Sequence, residues 1–301
     1  MTTQERIQSV IERHMPGASL VRTWPLSGGI SAHMTAFEVE HHGANQKLIA
    51  RQPNNWWFEQ RPNAAQVEFD TLQSLFRMGL PVQEPLFVEP QSEAVPHPFF
   101  VMRYIEGQPE IAPTNVDSYL QKYADQLVAI HRTPTENLGI EPGLAESLPN
   151  RQTFNEALRE PEIRAALVDR KRLDLNPSVL RHGDFWPGNI LWRDGSIAAV
   201  IDWEEATIGN PLADLAICRL DLLWILDYDA VDKFTRLYQA QMNLALDDLP
   251  WWDLWASLRP AANLPEWAPA YTALGRPDIT AETMTRDHQA FVTQALKKLD
   301  K

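Results

Sequence analysis

The spacing of hydrophobic residues predicts a chain whose two parts are built differently. Short alternating segments separated by turn residues dominate the N-terminal third, which is typical of antiparallel strands. Residues 3–14 and 63–78 interrupt them with the apolar spacing of amphipathic helices. After Glu106–Pro109 helical spacing predominates. The pattern predicts an α+β fold, with an N-terminal lobe at residues 1–105 and a mainly helical C-terminal lobe at residues 106–301.

Individual elements follow from the same pattern and from turn residues. Alternation along residues 47–52 places Arg51 at the end of a strand, where an exposed cation is the ordinary expectation. In the helix at 63–78, Asn63 is expected to cap the first turn. Glu68 is expected to be solvated, unless it turns inward and pairs with Arg51. The other predicted elements are strands at residues 19–26, 34–39, 85–90 and 99–105 and helices at 115–131, within 152–173 and within 217–299.

Composition and charge restrict the class of function. The 301 residues include 40 acidic and 27 basic side chains, which gives a formal net charge of −13. This excess of negative charge argues against nucleic acid and anionic membranes as partners, since both reward clustered Lys and Arg. No motif implies a protein partner. The single cysteine, Cys218, excludes an intrachain disulfide, and without an apolar leader or a membrane-length apolar run we expect a cytoplasmic protein.

Three polar residues near position 190 point to chemistry. Asp184 lies in the stretch His182–Trp192, Asn189 follows it with four residues between, and Asp202 ends the next apolar run. Phosphoryl transfer needs a carboxylate that receives or orients a hydroxyl proton, and oxygen ligands that hold magnesium on the phosphates. Each of these residues alone could simply cap a turn, but the set at this spacing favours function.

A β-hairpin is predicted between Asn189 and Asp202. Asp194-Gly195 is a strong signal for a two-residue turn, and apolar residues flank it on both sides. Folding of this hairpin would carry Asp202 back toward Asn189.

These segments resemble the motifs of the aminoglycoside phosphotransferase family, small-molecule kinases with a protein-kinase-like fold. His182–Asn189 is similar to the family's HGDxxxxN loop, and Ile201–Glu204 looks like its metal-binding segment. The resemblance covers nearly the whole chain. It implies two lobes, an N-terminal antiparallel sheet plus one helix and a mainly helical C-terminal lobe. It also implies that Asp184 is the catalytic base and that Asn189 and Asp202 bind Mg²⁺.

The resemblance further implies a nucleotide site for ATP, with GTP as an open alternative. Leu26–Gly29 resembles the family's nucleotide loop, and Phe100–Gly107 resembles its interlobe hinge. Backbone groups of Arg103 and Ile105 would meet adenine, with Met102 behind the base. The residues implied to cover the phosphates are Ser27, Gly28, Gly29 and Ser31.

Arg51 departs from the pattern of related kinases. Leu48–Arg51 falls where protein kinases carry VAIK, so an arginine stands in place of the phosphate-binding lysine. Arginine keeps the positive charge and can bind phosphate or a carboxylate through two N–H groups. The resemblance makes Glu68 the helix glutamate that orients this cation.

The connection after Asp202 constrains the acceptor. Only eleven residues separate Asp202 from Asp214, which leaves no room for the long activation segment with which protein kinases hold a peptide. The predicted acceptor is therefore a hydroxyl of a small molecule, such as an aminoglycoside, an amino alcohol or a sugar. Glu204 and Glu205 could attract an aminated acceptor or could form a solvated face. Asp214, near a helix start, could brace the catalytic loop by accepting backbone N–H bonds.

Two other functions stay open at this stage. A non-catalytic, pseudokinase-like nucleotide-binding module is the alternative that Arg51 would favour. A metal-dependent phosphohydrolase would share the carboxylates but would need neither the glycine loop nor the hinge. Five tryptophans, more typical of a core than of a ligand platform, could also form a wall of the acceptor site: Trp224, Trp251, Trp252, Trp255 and Trp267.

Overall fold

The chain divides into two units, and the sequence crosses between them three times. The computed structural model describes residues 3–26, 31–91, 97–136, 138–140, 148 and 151–299. The first unit comprises Met1–Gly107 and Ala198–Glu204, and the second comprises Gln108–Ile197 and Glu205–Lys301. The first crossing lies two residues beyond the boundary predicted at 105/106. Residues 198–204, which the sequence pattern assigns to the C-terminal lobe, group with the first unit.

The first unit contains a five-stranded sheet. Neighbouring strands are antiparallel throughout. The turn His42-Gly43 has positive φ at both residues, which is the geometry that two-residue hairpins favour. All five predicted strands are confirmed. They are β1 (Ser19–Leu26), β2 (Ala32–His41), β3 (Ala44–Pro53), β4 (Pro85–Glu89) and β5 (Phe99–Arg103), in the order β1-β2-β3-β5-β4.

Helices α1 (Thr3–His14), α2 (Asn55–Gln60) and α3 (Ala64–Arg77) accompany this sheet. The hydrophobic pattern predicts α1 and α3 but not α2. Apolar residues of α1, among them Ile7 and Ile11, belong to the same buried cluster as strand residues of the sheet. Asn63 precedes α3, but its side chain makes no capping hydrogen bond, contrary to expectation. Its φ and ψ of −96° and 10° lie outside the extended region that a capping residue adopts.

Helices make up most of the second unit. Its short strands form two small sheets, one ordered β6-β8-β9 and one pairing β7 with β10. Within the described ranges, no helix is long and apolar enough to cross a membrane. The strands are β6 (Gln108–Pro109), β7 (Val179–Arg181), β8 (Ile190–Arg193), β9 (Ser196–Val200) and β10 (Thr207–Gly209). The last three residues of β9 group with the first unit. The helices are α4 (Val116–His131), α5 (Glu160–Asp169), α6 (Leu212–Ile225), α7 (Tyr228–Met242), α8 (Leu249–Ala256), α9 (Leu264–Ala273) and α10 (Ala281–Leu299).

Helix α6 forms the core of the second unit. It packs against α7, α8 and α10, and all of its residues are buried. A helix buried on every side is normally apolar all round, yet α6 carries three charged residues, Asp214, Arg219 and Asp221. Asp253 of α8 accepts hydrogen bonds from Arg219 Nε at 2.9 Å and Nη2 at 3.0 Å, and Thr235 accepts one from Nη1 at 2.6 Å. Arg219 is thus fully paired, whereas the two aspartates have other partners.

The hairpin predicted at Asp194-Gly195 is confirmed. It joins β8 to β9, and both turn residues have positive φ, 51° at Asp194 and 71° at Gly195. This is the type I′ geometry, which glycine adopts without strain. Lys122 of α4 donates a hydrogen bond to the carbonyl oxygen of Gly195, which ties the turn to the helix.

Two exposed asparagines of the second unit offer a matched test of helix capping. Asn115 precedes α4, and its Oδ1 accepts the backbone N–H of Ser118 at 3.0 Å. Asn263 precedes α9, and its side chain makes no capping bond. Asn115→Ala should lower the free energy of unfolding by about 1 kcal/mol, measured by urea denaturation. Asn263→Ala should change it by less than about 0.5 kcal/mol, and equal losses in the two variants would contradict the capping role.

Candidate active site

The loop after β7 is held in a conformation that requires glycine. Gly183, two residues beyond the end of β7, has a φ of +86°. A Cβ on Gly183 would lie 2.4 Å from the backbone oxygen of Glu205. Any side chain would therefore be both strained and obstructed, so the residue before Asp184 must be glycine.

Asp214 at the start of α6 braces this loop, as predicted. Its Oδ2 accepts the backbone N–H of His182 at 2.7 Å, and its Oδ1 accepts that of Gly183 at 3.1 Å. His131 Nε2 lies 3.3 Å from Oδ2. Burial alone would raise the pKa of Asp214, but the hydrogen bond with His131 and the charge of Arg181 outweigh it and hold the pKa below its ordinary value. The carboxylate is therefore ionised and a strong acceptor for the loop backbone.

The carbonyl oxygen of Phe185 provides a second attachment. It accepts hydrogen bonds from the Tyr123 hydroxyl at 2.7 Å and from Cys218 Sγ at 3.1 Å. Burial raises the pKa of the Cys218 thiol well above its ordinary value, so the thiol stays protonated and can donate. The backbone on both sides of Asp184 is thus fixed from within the second unit.

Asp184 and Asn189 come together within this loop. Residues Pro187–Asn189 form one turn of 3₁₀ helix, which returns the chain toward Asp184. Asn189 Nδ2 then donates to Asp184 Oδ2 at 3.1 Å and to the Asp184 backbone oxygen at 3.0 Å. The side-chain nitrogen of Asn189 therefore stabilises the turn, as asparagines in turns commonly do. The side-chain oxygen of Asn189 is the atom able to bind a cation.

Arg259 is a residue of the site that sequence reasoning missed. It begins the 3₁₀ turn Arg259–Ala261 after α8, and its Nη2 donates to Asp184 Oδ1. The side chains of Asp184 and Arg259 are 28% and 27% exposed, so the pair is partly accessible. Arg259 lies 75 residues from Asp184 in the sequence and belongs to no recognisable motif, and only the packing of the helices brings the two together.

Asp221 of α6 lies on the other side of Arg259. Its Oδ2 is 4.0 Å from Arg259 Nη1, and the residue is 4% exposed. This oxygen has no hydrogen-bond partner in the described part of the chain. Burial raises the pKa of Asp221 to about 7, and the charge of Asp184 adds to the increase while that of Arg259 opposes it. The sequence gives no signal for this residue beyond a charge in an apolar helix.

Aromatic side chains adjoin the same loop. The Trp186 ring packs against Gly188, where a Cβ would lie 2.0 Å from it, and meets Tyr271 edge-on with centroids 5.9 Å apart. The Trp267 ring centroid lies 6.0 Å from the Arg259 guanidinium. Of the five tryptophans predicted as core or wall, Trp267 therefore adjoins the site. Among the others, Trp252 packs edge-on against both Trp251 and Trp255.

The first unit contains a second cluster of charge around Arg51. Arg51 is 5% exposed and Glu68 is 8% exposed, so the expectations of an exposed cation and a solvated glutamate are wrong. The two side chains pair through Arg51 Nε and Glu68 Oε1 at 2.8 Å. Arg51 Nη2 also contacts Asp202 Oδ1 at 2.9 Å and Glu204 Oε2 at 2.6 Å. The predicted cation, helix glutamate and metal-binding aspartate thus share one network.

Three carboxylates around one guanidinium leave this cluster with excess negative charge. Burial raises the pKa of Glu204 to about 7, Asp202 adds to the increase, and Arg51 and a hydrogen bond with Ser31 oppose it. Burial also raises the pKa of Glu68. Asp202 has a φ of 67°, an uncommon conformation for a residue other than glycine and one that clusters at functional sites. Of the two glutamates after Trp203, Glu204 is partly buried and paired with Arg51, whereas Glu205 is exposed.

The predicted nucleotide-binding residues differ in what can be described. Ser27, Gly28 and Gly29 lie outside the described residues, whereas Ser31 contacts Glu204. Met102 is buried in β5 at 2% exposure. The backbone N–H of Arg103 donates to the backbone oxygen of Glu84 at 2.9 Å. This N–H is therefore engaged within the fold, and the backbone carbonyl of Arg103 is the group that could face a ligand. Ile105 follows β5 without regular structure.

Among the described residues, no group of three or more His, Cys, Asp or Glu side chains is placed to hold a metal ion. Asn189 and Asp202 belong to the second and first units, respectively. Each supplies an oxygen of the type that magnesium prefers, and magnesium commonly takes only one or two protein ligands and completes its shell with phosphate and water. Each oxygen taken by itself is therefore of a type that fits magnesium bound together with a nucleotide.

Comparison with known proteins gives a consistent result. A family model described as the phosphotransferase enzyme family matches residues 24–278. A structure from Ralstonia eutropha JMP134, provisionally assigned as an aminoglycoside phosphotransferase, gives a TM-score of 0.67 at 15% identity and covers 99% of this chain and 98% of that one. A thermostable mutant of aminoglycoside phosphotransferase APH(4)-Ia, in complex with ADP and hygromycin B, gives 0.57 at 19% identity over 95% and 97%. Macrolide 2′-phosphotransferase from Brachybacterium faecium gives 0.58 at 18% identity over 96% and 98%.

At these identities the structural likeness establishes the fold, so the predicted kinase-like fold is confirmed.

Curated relatives are longer proteins. Acyl-CoA dehydrogenase family member 11 from Gallus gallus is 28% identical over 186 residues, which are 54% of this chain and 24% of that protein. The human protein of the same name is 27% identical over the same shares. The chain thus spans about a quarter of the length of these relatives.

The raised pKa of Asp221 predicts that the free energy of unfolding falls as the pH rises. The folded carboxyl has a pKa of about 7 against an ordinary value of 3.8, so the folded state holds a proton that the unfolded chain has released. The associated stability is complete below pH 3.8 and is lost as pH rises through 7. Asp221→Asn removes this titration, so its unfolding free energy relative to wild type should increase by about 3 kcal/mol between pH 5 and pH 8.

Urea denaturation of both proteins at the two pH values measures this difference. Asp278→Asn is the matched control, because the hydrogen bond from Arg276 lowers the pKa of Asp278 and its titration lies below this range. The control should show no change in relative stability between pH 5 and pH 8. A pH-independent difference for Asp221→Asn as well would contradict the raised pKa.

Proposed function

Because this chain belongs to the phosphotransferase enzyme family, we propose that it is an ATP- and magnesium-dependent kinase that transfers the γ-phosphate to a hydroxyl of a small molecule. The observation that carries the proposal is the Asp184 loop. Its backbone is bonded to Asp214, and Asn189 donates to the carboxylate itself. A carboxylate fixed in this way suits a reaction in which alignment lowers most of the barrier.

Asp184 would act as the base. It would accept a hydrogen bond from the acceptor hydroxyl. It would then receive the hydroxyl proton as the hydroxyl oxygen attacks the γ-phosphorus of ATP, in line with the bond to the departing ADP. Positioned proton transfer of this kind typically accelerates a reaction by roughly 10²–10⁴-fold. The partial exposure of Asp184 supports this role, since an acceptor must reach the carboxylate.

Asn189 and Asp202 would hold magnesium. The bound ion would neutralise charge on the phosphates during transfer. Asn189 supports this assignment because its amide nitrogen is held by Asp184, which fixes the orientation of the amide oxygen. Asp202 supports it through its exposure of 33%, in contrast to the buried arginine with which it pairs.

The first unit would bind the nucleotide. Arg51, oriented by Glu68, would contact the phosphates, and the loop Ser27–Ser31 would cover them. The carbonyl of Arg103 and the backbone N–H of Ile105 would bind adenine, with Met102 behind the ring. The engagement of the Arg103 N–H by the backbone oxygen of Glu84 supports the assignment of the carbonyl, because that N–H already has a partner.

The second unit would bind the acceptor. The partly exposed Asp184–Arg259 pair and the neighbouring rings of Trp186, Trp267 and Tyr271 offer both polar and flat apolar contacts. Such a surface suits a hydroxylated small molecule, which we propose to be aminoglycoside-like, an amino alcohol or a sugar. A thermal-shift screen of such compounds with magnesium–ATP present, followed by detection of phosphorylated product, tests this proposal.

A non-catalytic nucleotide-binding module is a second candidate. It is favoured by the contact of Arg51 with Asp202, because an arginine that occupies the metal-binding carboxylate could replace the metal. The screen separates the two candidates. Magnesium-dependent formation of a phosphorylated product supports the kinase, whereas nucleotide binding without consumption of ATP across the whole panel supports the module.

Replacement of the proposed base gives a direct test. Asp184→Asn should keep its affinity for magnesium–ATP, because the carboxylate is assigned to the acceptor, and should lower phosphate transfer by at least about 100-fold. Calorimetric titration measures the affinity and product formation measures the rate. Asp194→Asn, in the exposed hairpin turn, is the control and should retain the wild-type rate. An unchanged rate in Asp184→Asn would rule out the assignment.

Arg51 can be tested in the same way. Arg51→Met should raise the KM for ATP about tenfold or more, since a hydrogen bond to a charged group contributes roughly 1.5–3 kcal/mol. Arg51→Lys keeps the charge and should have a smaller effect. Arg22→Met removes an exposed arginine that pairs with Glu38 across the same sheet, and it should leave the KM unchanged. Similar KM values for Arg51→Met and wild type would separate Arg51 from phosphate binding.

A further inference from the structure

Both carboxylate oxygens of Asp184 already have donors. Arg259 Nη2 donates to Oδ1, and Asn189 Nδ2 donates to Oδ2 at 3.1 Å. A base that takes the proton of an acceptor hydroxyl needs a lone pair directed toward that hydroxyl. Each carboxylate oxygen can accept two hydrogen bonds, so the donor on the oxygen that the hydroxyl approaches either shares that oxygen or moves away when an acceptor binds.

Arg259 is the donor that can move. Asn189 is 7% exposed and is also bonded to the Asp184 backbone, so its position is set by the loop itself. The Arg259 side chain is 27% exposed, and its only hydrogen bond in the described part of the chain is the one to Asp184. A long side chain with one hydrogen bond can change partners without any shift of the backbone.

Asp221 offers Arg259 another partner. Its unpaired Oδ2 lies 4.0 Å from Arg259 Nη1, while a charge-assisted hydrogen bond is about 2.8 Å long. A movement of about 1 Å would close this gap and satisfy a buried oxygen whose lack of a partner is costly. A buried carboxylate with an unpaired oxygen is not the rule in the second unit, because both oxygens of Asp253 in α8 accept hydrogen bonds from Arg219 of α6.

We infer that Arg259 is a positioning residue that passes from Asp184 to Asp221 when the acceptor hydroxyl binds Asp184. The inference rests on the proposed function for the identity of the ligand that displaces it. Without acceptor, Arg259 holds the carboxylate of Asp184 in place. With acceptor, Asp221 receives the guanidinium, which keeps its charge paired within the second unit while Oδ1 of Asp184 turns to the hydroxyl.

The exchange can be tested without an acceptor, because Asp184→Asn removes the charge that holds Arg259. The experiment measures unfolding free energies of Asp221→Asn, Arg259→Met and their double variant, in the wild-type and Asp184→Asn backgrounds. Measurement at pH 8.5, above the Asp221 pKa of about 7, favours the ionised carboxylate in the chain that retains Arg259. Each background yields a coupling free energy between Arg259 and Asp221. Exchange requires that Asp184→Asn at least doubles this coupling, and an unchanged or smaller coupling overturns it.

A buried pair elsewhere in the unit provides the control. The coupling between Arg219 and Asp253, measured with Arg219→Met and Asp253→Asn, should be the same in both backgrounds because their bonds are already complete. If a double variant does not fold, the crystal structure of Asp184→Asn decides the question. The Arg259 Nη1 to Asp221 Oδ2 distance should shorten to a hydrogen bond, and a distance still near 4.0 Å overturns the inference.

Kinetics with an identified acceptor separate positioning from a merely structural role. Asp221→Asn should raise the acceptor KM at least fivefold and leave the KM for ATP unchanged, because Arg259 then stays on Asp184 and competes with the hydroxyl. In an Arg259→Met background the same substitution should have no effect on the acceptor KM. An effect that persists without Arg259 contradicts the exchange.

The two proposals fail in different ways. A wild-type protein that transfers phosphate to no acceptor, together with a coupling that doubles in Asp184→Asn, refutes the proposed kinase and supports the exchange of Arg259. Phosphate transfer by the wild type, together with an unchanged coupling, supports the kinase and refutes the exchange.

Discussion

The candidate active site depends on the buried carboxylate of Asp214. It accepts the backbone N–H groups of His182 and Gly183, two donors that need partners because the segment is removed from water. Its pKa lies below the ordinary value despite burial, so the acceptor is an ion and its bonds are stronger than those between neutral groups. The backbone before Asp184 is therefore fixed by the fold of the second unit itself. A base in phosphoryl transfer requires such rigidity, since the reaction is accelerated mainly by alignment and electrostatics.

Each unit also contains an arginine with more carboxylate neighbours than one guanidinium can neutralise. Arg51 contacts three carboxylates in the first unit, and Arg259 faces two in the second. Burial raises the pKa of both Glu204 and Asp221 to about 7, and the charge of a neighbouring aspartate adds to each increase while the arginine opposes it. Arg219, fully bonded to its partners, shows that this chain can complete a buried ion pair where the role is structural. Carboxylates whose pKa values are strongly perturbed are typical of functional sites.

Sequence reasoning succeeded where the determinants are local. The loop that joins Asp184 to Asn189 lies within a few residues of chain, and its spacing alone predicts that the two side chains meet. Burial of Arg51 was not predictable from alternation, which assumes one solvated face, because β3 lies between β2 and β5 and its last residues are buried on both faces. Arg259 and Asp221 carry no motif, since their positions follow from the packing of α6 and the segment after α8.

The geometry of α6 connects these separate observations. Asp214, Cys218 and Asp221 stand at positions i, i+4 and i+7, which lie along one face of a helix. The first accepts the N–H groups at the start of the loop, the second donates to the carbonyl of Phe185, and the third faces Arg259, which binds Asp184. Seven residues of helix rise about 10 Å, so one buried helix sets the distance between the fixed backbone before Asp184 and the carboxylate that faces Arg259. In the sequence, this arrangement is visible only as a stripe of polar residues in an otherwise apolar helix. Because α6 is buried on every side, its polar side chains need partners from neighbouring segments. The loop supplies them to Asp214 and Cys218, whereas Oδ2 of Asp221 has no hydrogen-bond partner among the described residues. The fold of the second unit and the conformation of the Asp184 loop therefore depend on each other.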